Sequence, residues 1–311
     1  MSDELKVGFI GLGRAGKPMA RRILRAGFPL SVLDVNVEPV DELVAEGAYR
    51  ASTPKEVAAM SDIVLTSLPH PKISEEVFLG PNGLFAGAKS GTILIETSTV
   101  PPGFVRDLAT AGKAKSIKVI DVSISGAGNM PIAGGQYMAA AGKLVLMIGG
   151  DVETVERVRP VLQTFGESLL HMGDVGQGAI AKVVNNAMGQ ANFVSACEAL
   201  TAGIKAGGDP KLLYQAISIS SGQSWTFNIG MRDYIEGRRS GIMSTDLAYK
   251  DSDAILQLGR ETGVPMLMHS AKLAFFEAAR NAGYGDQSWI ETMKIWEDMV
   301  GIRIGPGDQE N

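Results

Sequence analysis

The sequence predicts an α/β chain, a doubly wound parallel sheet followed by an all-helical C-terminal domain. Three observations predict it. In the first half, apolar runs rich in β-branched residues alternate with segments of helical period, the signature of βαβ units. A glycine-rich turn joins the first such run to the first helical segment. After Gly176 the alternation stops and long, Ala-rich helical segments take over.

Taken in order, the strand segments are Val7–Ile10, Leu30–Val35, Ile63–Leu68, Thr92–Ile95, Val119–Val122 and Leu144–Ile148, with a short closing strand at Ser168–Met172. They read as continuous apolar runs because helices cover both faces of a parallel sheet. Ala179 to Ala206 carries no proline and ends at Gly207-Gly208-Asp209-Pro210, a helix stop. Further helices are expected over Lys211–Ile219, Thr245–Thr262, Pro265–Ala282 and Trp289–Met299. The expected domains are therefore 1–174, which would bind a dinucleotide, and 175–311, which would serve substrate and subunit contacts.

Composition narrows the function. The 311 residues are 45% hydrophobic and 20% charged, enough for two cores. A net charge of −5 with no basic cluster argues against nucleic acid as a partner. Cys197 is the single cysteine, which excludes an intrachain disulfide and a Cys-cluster zinc site and fits a reducing compartment. No run approaches the roughly 20 apolar residues of a membrane span. The first residues enter a strand pattern without a cationic, apolar leader. A cytoplasmic protein is expected, with no membrane partner. His70, His171 and His269 are scattered, so no metal is expected.

The glycine turn reads Gly11-Leu12-Gly13-Arg14-Ala15-Gly16. Glycines at this spacing allow a tight turn and bring backbone amides and the positive end of a helix dipole to a pyrophosphate. With 38 glycines in the chain the spacing alone says little; its place between strand and helix makes it a Rossmann-like fingerprint. Asp34 ends the second strand, 18 positions beyond Gly16. A carboxylate there accepts the ribose hydroxyls of NAD and repels a 2′-phosphate; its ordinary alternative is a strand-end turn cap. No arginine follows Asp34 closely, so NAD is expected over NADP.

Several ordered motifs then carry a resemblance: Gly11 to Ala20, Leu68-Pro69, Ser98-Thr99-Val100, Ser125-Gly126, Gly176 to Asn186, and Lys250-Asp251. Together they resemble the β-hydroxyacid dehydrogenase family, the group of 3-hydroxyisobutyrate dehydrogenase and tartronate semialdehyde reductase. The resemblance implies hydride transfer between a nicotinamide cofactor and a small 3-hydroxy acid or its semialdehyde or keto acid. It implies Lys182 as the acid/base and Asn186 as the group that holds the substrate hydroxyl. Ser125, Gly126 and Ala127 would take the substrate carboxylate. Lys250 would approach substrate and nicotinamide, and Leu68, Pro69 and Thr99 would line the cofactor path. A homodimer or homotetramer is implied as well.

Residues four apart project from one helix face, which suits Lys182 and Asn186. An ordinary lysine titrates near 10.4, so a base at neutral pH requires burial or a neighbouring positive ring to lower it. The apolar neighbours Ile180, Val183, Val184, Ala187 and Met188 suggest such burial, against the plain alternative of a solvated helix lysine. Two successive asparagines in an Ala-rich helix suggest a task, since Asn is a poor helix former.

The chain also departs from the family. Asp121-Val122-Ser123-Ile124-Ser125-Gly126-Ala127 stands for the usual Asp-Ala-Pro-Val-Ser-Gly-Gly. About eight extra residues follow, within 128–137, in a loop expected to border the carboxylate pocket. A larger or more apolar substrate than hydroxyisobutyrate fits that change. Asn185 stands where the related 6-phosphogluconate dehydrogenases have His, which speaks against that activity. Two alternatives stay open, a non-catalytic dinucleotide-binding scaffold and an imine reductase of similar architecture; Lys182 and Asn186 together favour the dehydrogenase. The cofactor reading predicts a higher kcat/KM with NADH than with NADPH in steady-state kinetics; the reverse order would remove Asp34 from the ribose site.

Overall fold

The computed structural model describes residues 5–126, 135–238 and 243–306. The chain divides into two compact units, 1–182 and 183–311. In the first, strands β1 (Val7–Ile10), β2 (Leu30–Leu33), β3 (Tyr49–Arg50), β4 (Ile63–Thr66), β5 (Ile93–Glu96), β6 (Lys118–Ser125), β7 (Leu144–Gly149) and β8 (Gly166–Gly173) form one sheet. Its order is β3-β2-β1-β4-β5-β6-β7-β8. The helices that alternate with them are α1 (Gly16–Arg25), α2 (Val37–Ala45), α3 (Pro54–Met60), α4 (Pro71–Leu79), α5 (Leu84–Gly87), α6 (Pro102–Lys113), α7 (Gly135–Ala141) and α8 (Val152–Leu162).

β1, β4 and β5 are buried at every position, as strands covered on both faces must be. One apolar cluster, with Phe9, Met19, Val32, Ile95 and Phe165, lies on one side of the sheet; a second, with Ile10, Val64, Phe78 and Leu94, lies on the other. β1 pairs in parallel with both β2 and β4. The chain thus runs outward from β1 to β3 and returns to β4. The carboxyl ends of β1 and β4 therefore open a crevice where the strand order reverses, the place doubly wound sheets bind ligands.

Two features differ from the sequence expectation. β7 runs antiparallel to β6, with Asp121 opposite Gly149 and Ser125 opposite Val145, so the sheet is mostly rather than wholly parallel. An apolar run looks the same in either direction, and antiparallel neighbours need no crossover on the far face. β3 was not expected: two exposed residues at the sheet edge carry no apolar pattern.

α9 (Gln177–Lys205) begins in the first unit and continues into the second. There it is joined by α10 (Pro210–Ser218), α11 (Arg232–Ile235), α12 (Thr245–Thr262), α13 (Leu267–Ala279) and α14 (Met293–Val300). α12 starts at a Ser244 cap, whose hydroxyl accepts the Leu247 amide, and ends on left-handed Gly263; a Cβ would strain that conformation. The core of this unit gathers Phe193, Cys197, Tyr234, Phe276, Trp289 and Met293, with Phe193 against Trp289 at 4.5 Å between ring centres. Among the described residues no helix is long and apolar enough to cross a membrane, and no group of three His, Cys, Asp or Glu is placed to hold a metal ion.

Candidate active site

The glycine turn sits at the end of β1. Gly11 has φ of 92°, and a Cβ there would meet the Ser67 carbonyl oxygen at 2.2 Å; one at Gly16 would meet the Gly11 oxygen at 1.9 Å. Both must be glycine for the turn to close. Gly13 has no atom within 4 Å of where a Cβ would stand, so its backbone is open to a ligand. α1 has no side-chain cap and no acidic residue in its first turn, which leaves its amide end free for an anion. These residues fit a dinucleotide pyrophosphate.

Asp34 lies beside this turn. Its carboxylate accepts the Leu12 amide at 2.5 Å and the Asn36 amide at 2.7 Å. It therefore shapes the loop, and a carboxylate has about four acceptor sites, enough for ribose hydroxyls in addition. Across the crevice the Leu68 amide donates to Ser98 Oγ at 2.7 Å, and the Ser98 amide donates to Glu96 Oε1 at 2.7 Å. Glu96 is buried, and burial pushes its carboxyl up. Leu68 and Thr99 are half-buried and Pro69 is exposed. Arg14 donates to Gln136 on α7 at 3.3 Å, so the described end of the extra segment touches the glycine turn. Ala127 and most of that segment, 128–134, lie outside the described residues.

β6 ends at half-buried Ser125 and Gly126. Four residues before Ser125, Asp121 turns its carboxylate to the start of α9 and accepts the amides of Gly176 and Ala179, each at 2.6 Å. Burial pushes this carboxyl up while those amides pull it down. Gly149 and Gly178 close on the same carboxylate; a Cβ on either would come within 2.8 Å of it. Asp121 thereby ties the strand that leads to Ser125 to the helix that carries Lys182, in the first unit alone. Sequence reasoning quoted Asp121 within a motif but assigned it no role.

Lys182 is half-buried, a correction to the enclosed amine that its apolar neighbours suggested. Ala179, Val183 and Ala187 are buried, whereas Val184 and Met188 are 40% and 59% exposed. The apolar letters around Lys182 fall on two faces of α9, only one of which packs.

In the helical unit, Asn186 Nδ2 donates to Asp251 Oδ2 at 2.8 Å. The other oxygen of Asp251 pairs with Lys250 Nζ at 3.4 Å. Asp251 is buried, Lys250 half-buried. The structure thus brings Asn186 and Lys250 to one carboxylate, and Asn186 follows Lys182 by one turn of α9. A buried Asp beside Lys250 was legible only as part of the Lys-Asp motif. Cys197 is buried, and burial raises its thiol well above the ordinary range; a protonated thiol is a poor nucleophile.

Fold and site define a dinucleotide-dependent oxidoreductase. Residues 6–173 match the family described as the NAD binding domain of 6-phosphogluconate dehydrogenase. Residues 176–296 match the family described as the NAD-binding region of NADP-dependent 3-hydroxyisobutyrate dehydrogenase. The chain is 35% identical to 2-(hydroxymethyl)glutarate dehydrogenase of Eubacterium barkeri, over 99% of this chain and 100% of that protein. It is 30% identical to an NAD-dependent L-serine dehydrogenase of Pseudomonas aeruginosa, over 95% and 99%. The crystal structure of 3-hydroxyisobutyrate dehydrogenase from Salmonella typhimurium superposes with a TM-score of 0.81 at 26% identity, covering 94% of this chain and 99% of that one. The chain belongs to the β-hydroxyacid dehydrogenase family. It is an NAD(P)-dependent 3-hydroxyacid dehydrogenase.

The Asp121 contacts generate one expectation. Asp121→Asn keeps one acceptor but turns an amide N–H against a backbone N–H. It should cost about 2 kcal/mol, the worth of a hydrogen bond to a charged group, read as a lower urea midpoint. An unchanged midpoint would mean that Asp121 does not anchor α9.

Proposed function

We propose that Lys182 is the acid/base of this dehydrogenase and that Asn186 holds the reacting hydroxyl. The carrying observation is the Asn186–Asp251 hydrogen bond. With Nδ2 committed to the carboxylate, Asn186 presents Oδ1 as an acceptor one helical turn from Lys182. Asn185 Nδ2 reaches that oxygen at 3.2 Å, which leaves a second lone pair for a hydroxyl.

Bound to this chain, the dinucleotide would supply the acceptor for a hydride from the carbinol carbon. Neutral Lys182 takes the hydroxyl proton as the C–O bond becomes a carbonyl, and the ammonium returns a proton in reduction. Asn186 orients the hydroxyl without competing for its proton. Ser125 and Gly126 would bind the substrate carboxylate, with Ala127 completing that loop. Lys250, turned to Asp251, would add positive charge beside carboxylate and nicotinamide. Gly11, Leu12, Gly13, Arg14, Ala15 and Gly16 would cradle the pyrophosphate, and Leu68, Pro69 and Thr99 would border the chain of the cofactor.

Asp34 and the lack of an arginine just after it favour NAD over NADP. We place the domain boundary at 174/175, between β8 and α9, where the two family matches also part. A cytoplasmic homodimer or homotetramer suits the single buried cysteine and the family. The relatives' names supply the substrate panel: 3-hydroxyisobutyrate, L-serine, L-threonate and 2-(hydroxymethyl)glutarate. The last is larger, as the extra residues within 128–137 would suit.

Lys182→Ala should lower kcat by about 10²- to 10⁴-fold, the worth of a general acid/base, while NADH binding, followed by fluorescence, stays near that of the parent. Near-normal kcat in that variant would refute the role of Lys182.

A further inference from the structure

The ladder between β4 and β5 ends at the pair Thr66 and Glu96. Beyond that pair one chain leads on to Leu68 and Pro69 and the other to Ser98 and Thr99. Where a ladder stops, the next backbone donors need new partners. Here side chains extend the pairing. The Thr97 amide donates to the Thr66 carbonyl at 3.0 Å, and the Thr97 hydroxyl donates to the same oxygen at 2.6 Å. The Ser98 amide donates to Glu96 Oε1 and the Leu68 amide to Ser98 Oγ, each at 2.7 Å.

Glu96 is thus the first member of a chain of contacts that runs through Ser98 to the Leu68 amide on the β4 side. It is 1% exposed, and Ser98 is 7% exposed. Burying a carboxyl is costly, and the donor that this one satisfies is the Ser98 amide. Its other oxygen, Oε2, is buried with no hydrogen-bond partner among the described residues, so Oε1 alone carries the link.

We propose that Glu96 is a positioning residue for the dinucleotide. Oε1 fixes the turn at Ser98, and Ser98 Oγ in turn fixes the Leu68 amide, so the loops after β4 and β5 stand at one level along the cofactor. The inference rests on the reading that Leu68, Pro69 and Thr99 border the cofactor. It requires an acceptor at Oε1 and no charge, so an amide in the same place serves equally. The link leads to the cofactor and not to the substrate hydroxyl, so its loss should fall on the KM for NAD rather than on kcat.

Glu96→Met fills the same corner with an apolar chain of similar length and leaves the Ser98 amide without its acceptor. Glu96→Gln restores an acceptor there. Both are compared with the parent for NADH affinity by fluorescence and for kcat and KM with L-serine or 3-hydroxyisobutyrate, whichever turns over faster. Circular dichroism follows folding. Glu96→Met should be folded, with the NADH Kd and the KM for NAD raised about tenfold, the order of one unmet buried hydrogen bond. Its kcat at saturating NAD should stay within about twofold of the parent. Glu96→Gln should regain most of the lost affinity. A residue that merely filled space would neither separate KM from kcat nor distinguish Gln from Met. Should Glu96→Met fail to fold, Ser98→Ala keeps Glu96 but removes the acceptor of the Leu68 amide, and a raised NADH Kd is expected there too. Parental NADH affinity in a folded Glu96→Met, or in Ser98→Ala in its place, overturns this inference, as does a Gln variant as weak as the Met one. Thr99→Phe tests the reading beneath it: bulk beside the cofactor should weaken NADH binding. Parental affinity in that variant would refute the reading that this loop borders the cofactor.

Discussion

The arrangement of the first unit depends on a carboxylate at the start of α9. Asp121 comes from the middle of β6, and the amides it binds belong to the last turn before α9 and its first turn. A helix begins with four amides that lack intrahelical partners, and its dipole is positive there. A buried carboxylate satisfies both needs, and the helix in turn offsets part of the cost of burying the charge. One constraint therefore sets the strand leading to Ser125 and Gly126 and the helix leading to Lys182. Gly149 and Gly178 are glycine because that approach leaves no room for a side chain.

The two units meet the dehydrogenase chemistry with different physics. The first unit carries an uncapped helix start and open glycine backbone at Gly13, features that suit a charged cofactor. The helical unit instead carries buried charges, Asp251 and Lys272 among them, within an otherwise apolar core.

Much of the fold was legible in the sequence because it rests on local pattern. The strands at Val7–Ile10 and Leu144–Gly149, and α12 over Thr245–Thr262, follow from apolar runs and from helical period. The glycine turn was legible because spacing and chain order carry its meaning. The direction of β7 was not, since pairing partners leave no mark on a run of Val, Leu and Ile. The exposure of Val184 and Met188 was not, since an apolar letter does not say which helix face packs. The polar contacts of α9 with α12 and α13 join residues 62 to 82 positions apart, and only packing reveals that Lys272 of α13 and Gln190 of α9 are neighbours.

The central claim is that the amine of Lys182 and the amide oxygen of Asn186 converge on one substrate hydroxyl. A crystal structure with NAD and a non-reacting hydroxy-acid analogue measures it directly. The account predicts Lys182 Nζ and Asn186 Oδ1 each within about 3.2 Å of the hydroxyl oxygen, with the carbinol carbon facing the nicotinamide. A bound analogue whose hydroxyl lies elsewhere, with Lys182 turned to solvent, would contradict it.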